Sequence, residues 1–575
     1  MDTRKIKSYG TMAFLFSRVI YRVTRDQLTE GSLGPMIRET IKRRSLAIPE
    51  DISFSDLLEK QAEKNGDHPF LHYQDQVISF RHLNERSNRV AHALKERGAR
   101  PGEGVGIMMS NCPEFLYAFY ALQKLGMYAI PINTQLKGDG LAYIITHSEI
   151  KYVFFDQTVS EEIQKIRDKT TQVREFICFR GEAPPDFLLP PGSRDYRELL
   201  DPKYPATNPG ISYDRNNMCI IMYTSGTTGL PKGVVYRYIH SGVRRLGMGA
   251  RLLYSKNDIL FTCLPLFHAN ALWITVTQAM WAGAQVALSK RFSARRFWDE
   301  IRHSRATTFN SLGAMAAILL KQPPDPRDKE HNVRFILSSA CPPEAAEPFE
   351  KRFGVQLWET YGAVDGGGMV TFNVGNAPYG SIGKPMMGNK YRLLDEEMKD
   401  VPVGEPGELV FWVGENRESS VEYLKDQKAT SQKMRDGWLH TGDLISRDEE
   451  GYLYFRGRGS DYMRRRGENV SAYEVESQVI NHPAVLECAV YGVPSELGED
   501  DIMVTVVPRE GQKVDPADLI KFLEEKLPRF AVPRYVNVVD KLPKTETHRV
   551  QKNILKAQGV TSSTWDREKY EEEKK

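Results

Sequence analysis

Tyr223-Thr224-Ser225-Gly226-Thr227-Thr228-Gly229-Leu230-Pro231-Lys232-Gly233 is the stretch around which the chain can be organised. It gathers Ser and Thr hydroxyls, three glycines and one lysine into a single loop. The apolar run Met218-Cys219-Ile220-Ile221-Met222 leads into it and predicts a strand. Glycines let backbone N–H groups approach an anion, hydroxyls add donors, and Lys232 adds a positive charge. A strand opening into such a loop predicts a phosphate site. It is not the P-loop of nucleotide triphosphatases, because no G-x-x-x-x-G-K-[ST] pattern is present.

The chain around this loop has 575 residues, more than one core usually serves, so two or more domains are expected. Hydrophobic residues make up 41% and charged residues 27%, which fits a water-soluble globular protein. A net charge of +3 on this length gives no electrostatic case for nucleic acid. The six cysteines are scattered without a C-x-x-C pair, which argues against a zinc site or a disulfide framework and fits a reducing cytoplasm. No apolar run reaches the ~18–20 residues of a membrane span, and no secretory signal is expected.

Residues 1–50 read as a basic arm. Phe16, Val19, Ile20 and Val23 would share one face of a helix whose remainder carries Arg18 and Arg22. Two readings stand for it: an arm docked on its own domain, or peripheral membrane contact. Residues 51–457 alternate strand-like and helix-like segments, as in Val105–Met109 followed by the helix Pro113–Leu125. That alternation predicts an α/β layer fold with mainly parallel sheets. Ile259–Cys263, Arg334–Ser338 and Gln356–Thr360 are strands that should each run into a polar or glycine-rich turn. In open α/β sheets ligands bind beyond the carboxyl ends of strands, so these turns should border one nucleotide-sized site. Gly437–Asp443 reads as a turn carrying one acid, and Gly457–Asp461 as a hinge. Residues 458–560 read as a small, mobile α+β domain, and 561–575 as a charged, frayed tail.

In order and spacing, Tyr223–Gly233, Leu264–His268, Tyr361–Asp365, Gly437–Asp443, Gly457–Glu476 and Pro543–Lys552 together resemble the motifs of the adenylate-forming acyl-CoA synthetase superfamily. That superfamily also contains firefly luciferase and peptide-synthetase adenylation domains. The resemblance covers about residues 55–557. Phe292–Asp299 with Gln322-Pro323-Pro324 is similar to the fatty-acid transport protein and very-long-chain acyl-CoA synthetase branch. Arg464–Ser471 is similar to crotonobetaine/carnitine-CoA ligases.

The resemblance implies ATP-dependent activation of a carboxylic acid, most simply a fatty or other hydrophobic one, with Mg²⁺ as cofactor and CoA as acceptor. It implies that Thr224, Ser225, Gly226, Thr227, Thr228, Gly229 and Lys232 hold the phosphates. Tyr361 would stack on adenine, Gly362 would line the acyl adenylate, and Asp443 and Arg458 would meet the ribose. Thr227 and Asp365 would face the metal. His268 would gate an acyl pocket with Trp273, Leu312, Gly313 and Gly366. Arg464, Arg465, Arg466 and Gly467 are the candidates for the CoA phosphates, with Ser460 at the hinge.

Three positions depart from the superfamily pattern. Its Thr-Glu pair is Val364-Asp365 here, and valine cannot donate to a phosphate. Its hinge Asp or Lys is Ser460. Its catalytic lysine, from a Pro-x-Thr-x-x-Gly-Lys pattern, is Arg549, with Lys552 three residues on as a substitute. Arginine keeps the charge but spreads it over a planar fork. Two alternatives therefore accompany the CoA ligase reading: a ligase that loads a carrier-protein thiol, and a lipid-binding or uptake protein with weakened catalysis.

Overall fold

The computed structural model describes residues 52–224, 231–240, 242–312, 315–366, 368–372, 377–385, 390–414, 421–458, 462–465, 468–495, 500–527, 529–544 and 550–573. The basic arm lies outside these residues. The chain divides into two compact units. One comprises Met1–Tyr223, Gly233–Asn389 and Glu415–Thr430; the other comprises Thr224–Lys232, Lys390–Gly414 and Ser431–Lys575.

The first unit carries two sheets. In one, Ser193–Asp195, Glu175–Phe179, Ile150–Asp156, Gly104–Met108, Tyr128–Pro131 and Met218–Thr224 lie side by side, each parallel to its neighbour. Gly104–Met108 is buried at every position, as expected for a strand covered on both faces. The helix Pro113–Lys124 begins at a proline, whose missing N–H costs nothing in a first turn, and is buried over most of its length. The second sheet sets Gln285–Leu288, Ile259–Thr262, Thr308–Leu312, Phe335–Ser339 and Gln356–Ala363 parallel and adjacent. The carboxyl ends of these strands share one side, which is the arrangement the alternating pattern predicts.

Two expected turns are strands. Gln356–Ala363 runs past Thr360 because Gly368–Phe372 returns antiparallel on its end, pairing Tyr361 with Thr371. In the second unit the turn is confined to Asp436 and Gly437, both at positive φ, and Trp438–Arg447 is a strand between Gly407–Trp412 and Leu453–Arg458. The polar residues of Gly437–Asp443 suggested a loop; the ladder on both sides accounts for their backbone groups instead.

The second unit also holds a sheet of Val485–Pro494, Asp500–Pro508, Tyr535–Val538 and Trp565–Asp566. Its core is the aliphatic set Val475, Val485, Val504, Leu519 and Val532. The frayed tail is corrected here. Trp565–Asp566 pairs with Tyr535–Val538, and the helix Arg567–Glu573 follows. Arg534 anchors it, lying 3.2 Å from Asp566 and 3.1 Å from Glu568. The charges that made the segment look solvated are partly paired. No described helix is long and apolar enough to cross a membrane.

Candidate active site

The strand Met218–Thr224, which begins in the first unit, buries Cys219, Ile220 and Ile221 and leads to the stretch expected to hold phosphates. Ser225, Gly226, Thr227, Thr228 and Gly229 lie outside the described residues. The loop's two ends are joined, because Thr224 Oγ1 donates to the Lys232 carbonyl at 3.4 Å. Gly233 is required sterically: a Cβ there would stand 2.9 Å from Ile221. Lys232 is exposed at the first position of its strand.

The carboxyl ends of the second sheet carry the other expected groups of this unit. Tyr361 is half-buried and Gly362 exposed, at a register shift in the pairing with Gly368–Phe372. Tyr236 Oη donates to the Val364 carbonyl at 2.5 Å, so Val364 serves through its backbone. Asp365 accepts a 2.8 Å hydrogen bond from Tyr423 Oη. A single hard carboxylate there suits Mg²⁺, which is usually held by one or two carboxylates together with substrate phosphates. Gly366 is buried, and its N–H donates to the Ala363 carbonyl at 3.1 Å. Leu312 closes its strand half-buried; Gly313 is outside the described residues.

His268 opens the helical segment after Leu264–Phe267. Its N–H donates to Pro265 and its carbonyl accepts from Leu272. Burial pushes the imidazole down to about 4, so it is neutral at physiological pH. Its Nε2 is buried without a hydrogen-bond partner among the described residues. Trp273 lies in the π-helix Asn270–Thr277, edge-on to Tyr236 with centroids 4.7 Å apart.

Sequence reasoning missed Glu359. It stands beside Ser338, which stands beside Ser311, in one row across three parallel strands. Its Oε1 accepts the Cys341 amide at 3.2 Å, while Oε2 meets the hydrogen-bond distance and angle of no partner among the described residues. Burial pushes its carboxyl up to about 7. A glutamate one residue ahead of Thr360-Tyr361 carries no local signal; only the strand register reveals it.

In the second unit, Asp443 is buried in mid-strand opposite Arg458, whose Nε lies 3.2 Å from Oδ1. The strand is fixed around it. Asp443 N–H donates to Thr441 Oγ1, and that hydroxyl donates to the Leu409 carbonyl. Glu408 takes the Gly442 N–H at 3.0 Å and pairs with His440 Nδ1 at 2.9 Å. Gly442 has φ +77°, a conformation that favours glycine.

Lys552 opens the helix Lys552–Gln558 and lies 2.8 Å from Glu476. Arg549 lies outside the described residues; of those flanking it in sequence, Lys544 and Val550 form a bridge and Gln551 N–H donates to the Pro543 carbonyl. Ser460, Arg466 and Gly467 are also outside, and Arg464 belongs to the strand Tyr462–Arg465. The expectation for Arg465 is corrected. It is buried, donates to the Val532 carbonyl at 2.8 Å and lies 3.4 Å from Asp501, so its charge is spent inside the unit.

Residues 58–414 match the AMP-binding enzyme family, and residues 474–549 match the AMP-binding enzyme C-terminal domain. A medium/long-chain-fatty-acid–CoA ligase of Mycobacterium tuberculosis is 34% identical over 539 residues, covering 89% of this chain and 87% of the relative. A crotonobetaine/carnitine–CoA ligase of Salmonella paratyphi B is 30% identical over 490 residues, covering 83% and 93%. Among solved structures, an anthranilate CoA ligase in complex with anthranoyl-AMP superposes with a TM-score of 0.78 at 26% identity, covering 89% and 98%. ATP-bound MatB from Rhodopseudomonas palustris superposes at 0.76 with 26% identity, covering 88% and 99%. The relatives thus include a fatty-acid–CoA ligase as well as crotonobetaine/carnitine–CoA ligases.

Proposed function

This chain belongs to the AMP-binding enzyme family as an AMP-forming acid–CoA ligase, and we propose that its acid is a fatty or other hydrophobic one. The relative named as a medium/long-chain-fatty-acid–CoA ligase supports this choice.

The reaction has a clear electrostatic problem. A free carboxylate is a poor electrophile because its oxygen leaves badly. Attack of the carboxylate on the ATP α-phosphorus releases pyrophosphate and makes an acyl adenylate. The CoA thiol then attacks the acyl carbon, and AMP leaves. The first step gathers negative charge, so donors and cations must be fixed beforehand. In our reading Thr224–Lys232 holds the β- and γ-phosphates, Tyr361 stacks on adenine, and Gly362 lies along the adenylate. Asp443 accepts the ribose hydroxyls, with Arg458 fixing its carboxylate. Arg549 meets the acid carboxylate and α-phosphate. Asp365 and Thr227 would hold Mg²⁺, which would neutralise phosphate charge. Arg464, Arg466 and Gly467 are proposed for the CoA phosphates, and Ser460 for the hinge of a domain rotation between the half-reactions.

The observation that carries this reading is the buried Asp443 carboxylate, 3.2 Å from the half-buried Arg458 guanidinium, on a strand clamped by Glu408. A buried carboxylate held that firmly is prepared to bind before the ligand arrives. The test is the purified chain with ATP, Mg²⁺ and a panel of fatty, aromatic and betaine-type acids, with and without CoA, read by mass spectrometry. Acyl-CoA from fatty acids is expected. Acyl adenylate that persists with CoA would favour a carrier-protein thiol as acceptor. Bound acid without either product would favour a lipid-binding protein.

A further inference from the structure

The segment Asn270–Thr277 after His268 is a π-helix. Gln278 N–H donates to the Trp273 carbonyl, five residues back, so these two residues stand one turn apart. His268 precedes Trp273 by the same number of residues. Other polar side chains of the segment have partners. Asn310 Nδ2 donates to Asn270 at 2.8 Å and to Thr275 at 3.0 Å, and Thr277 Oγ1 donates to the Leu272 carbonyl at 2.9 Å. By contrast, His268 Nε2, Trp273 Nε1 and both amide atoms of Gln278 are buried with no hydrogen-bond partner among the described residues. Gln278 is 0% exposed and Trp273 7%.

Buried polar groups are almost always hydrogen-bonded, and one left unpaired carries its full desolvation cost. Three within one short helical segment, beside polar side chains that are paired, point to a partner that binds there. Tyr236 packs against Trp273, and Gly249 of the helix Val243–Leu253 lies 3.9 Å from the Gln278 amide when given a Cβ. The indole N–H is a donor, the amide is both donor and acceptor, and the imidazole is neutral. This set complements a neutral polar group and offers nothing to a carboxylate or ammonium at that depth.

Resting on the acid–CoA ligase reading above, we infer that the preferred acid has an apolar body carrying a neutral hydrogen-bonding group, a hydroxyl, keto or amide oxygen, that pairs with Trp273 and Gln278. His268 would bond the part of the acyl group nearer the carboxylate. Trp273 and Gln278 are then specificity-determining residues, and Gln278 joins the acyl-site residues already named.

The test uses the full chain, ATP, Mg²⁺ and CoA with two matched series: straight-chain acids from hexanoic to palmitic, and their mid-chain and terminal hydroxy and keto counterparts. Formation of acyl-CoA is read as kcat/KM for each acid. At least one oxygenated acid should exceed its plain counterpart by about 10-fold or more, because a site built to hydrogen-bond a group rejects the analogue lacking it. Gln278→Leu should shrink that ratio by about 10-fold, and Trp273→Phe, which removes only the N–H and some area, should shrink it in the same direction. Plain acids preferred throughout, with ratios unmoved by either variant, would overturn the inference while leaving the ligase reading intact. If either variant fails to fold, the two acid series on the unmodified chain still decide. No acyl-CoA or acyl adenylate from any acid would remove both.

Discussion

Lys552 Nζ lies 2.8 Å from the Glu476 carboxylate, and Glu476 Oε1 also accepts the Val490 amide at 2.8 Å. The lysine nearest in sequence to the superfamily's catalytic position thus ties one helix to another, Ala472–Val479, whose Glu476 in turn holds a neighbouring strand. Its charge serves the fold of the second unit, which leaves Arg549 as the stronger candidate for adenylation.

The two residues should therefore separate in kinetics. Arg549→Ala should lower carboxylate-dependent pyrophosphate exchange by about 100-fold, the scale of one lost charge-stabilising donor. Thioester formation from preformed acyl adenylate should fall far less. Lys552→Met should cost about 1 kcal/mol in urea unfolding, as for a partly buried ion pair, and leave pyrophosphate exchange within about 3-fold. Equal loss in both half-reactions for Arg549→Ala, or the larger exchange defect in Lys552→Met, would reverse the assignment.

Asp443→Asn tests the ribose contact. The amide fits the same space on the strand but gives up the negative charge facing Arg458. Hydrogen bonds to a charged acceptor are worth about 1.5–3 kcal/mol, so AMP affinity by calorimetry should fall about 10- to 100-fold with the fold retained. Unchanged AMP affinity would take Asp443 out of the nucleotide site.

Sequence and structure agree most where chemistry is written in local order. The strand through Met218–Met222 and the helix from Pro113 both read directly because strand burial and proline capping are local effects. Trp438–Arg447 did not, since its polar residues are satisfied by strands distant in sequence. Trp565 and Arg567 were hidden in a charged run whose partner, Arg534, is some thirty residues away. Glu359 and Gln278 were invisible for the same reason: burial in a row or a helical segment depends on register, and neither residue type announces it. Arg465, read as a surface cation, is buried because Asp501 and the Val532 carbonyl receive it.

Gly247 sits where two helices of the first unit touch. A Cβ there would lie 2.5 Å from the Trp281 ring, whose Nε1 donates to the Val243 carbonyl at 2.7 Å and so resists displacement. Gly247→Ala should therefore destabilise by about 1–2 kcal/mol by urea unfolding, even though alanine favours an isolated helix. Trp281→Leu in the same chain should remove most of the added cost, since it takes away the ring the methyl meets. Additive losses in the double variant would show that the contact is not the cause.

Glu359 gives a pH signature of its own. Its carboxyl moves from an ordinary 4.5 up to about 7 because burial disfavours the charged form. The backbone bonds from Ala340 and Cys341 pull the other way without cancelling it. With the folded value raised, the folded state binds the proton more tightly than the unfolded chain. Below about 4.5 both forms are protonated and there is no penalty; the penalty grows between about 4.5 and 7 and is full above. Glu359→Gln removes the titrating group while keeping an oxygen for the Cys341 amide. Relative to the unmodified chain, the variant should gain about 2 kcal/mol more at about pH 8 than at about pH 5. Urea unfolding at the two pH values measures this directly. A gain that is equal at both would mean that Glu359 stays charged in the fold, with Ser338 and the Cys341 amide sufficient to hold it so.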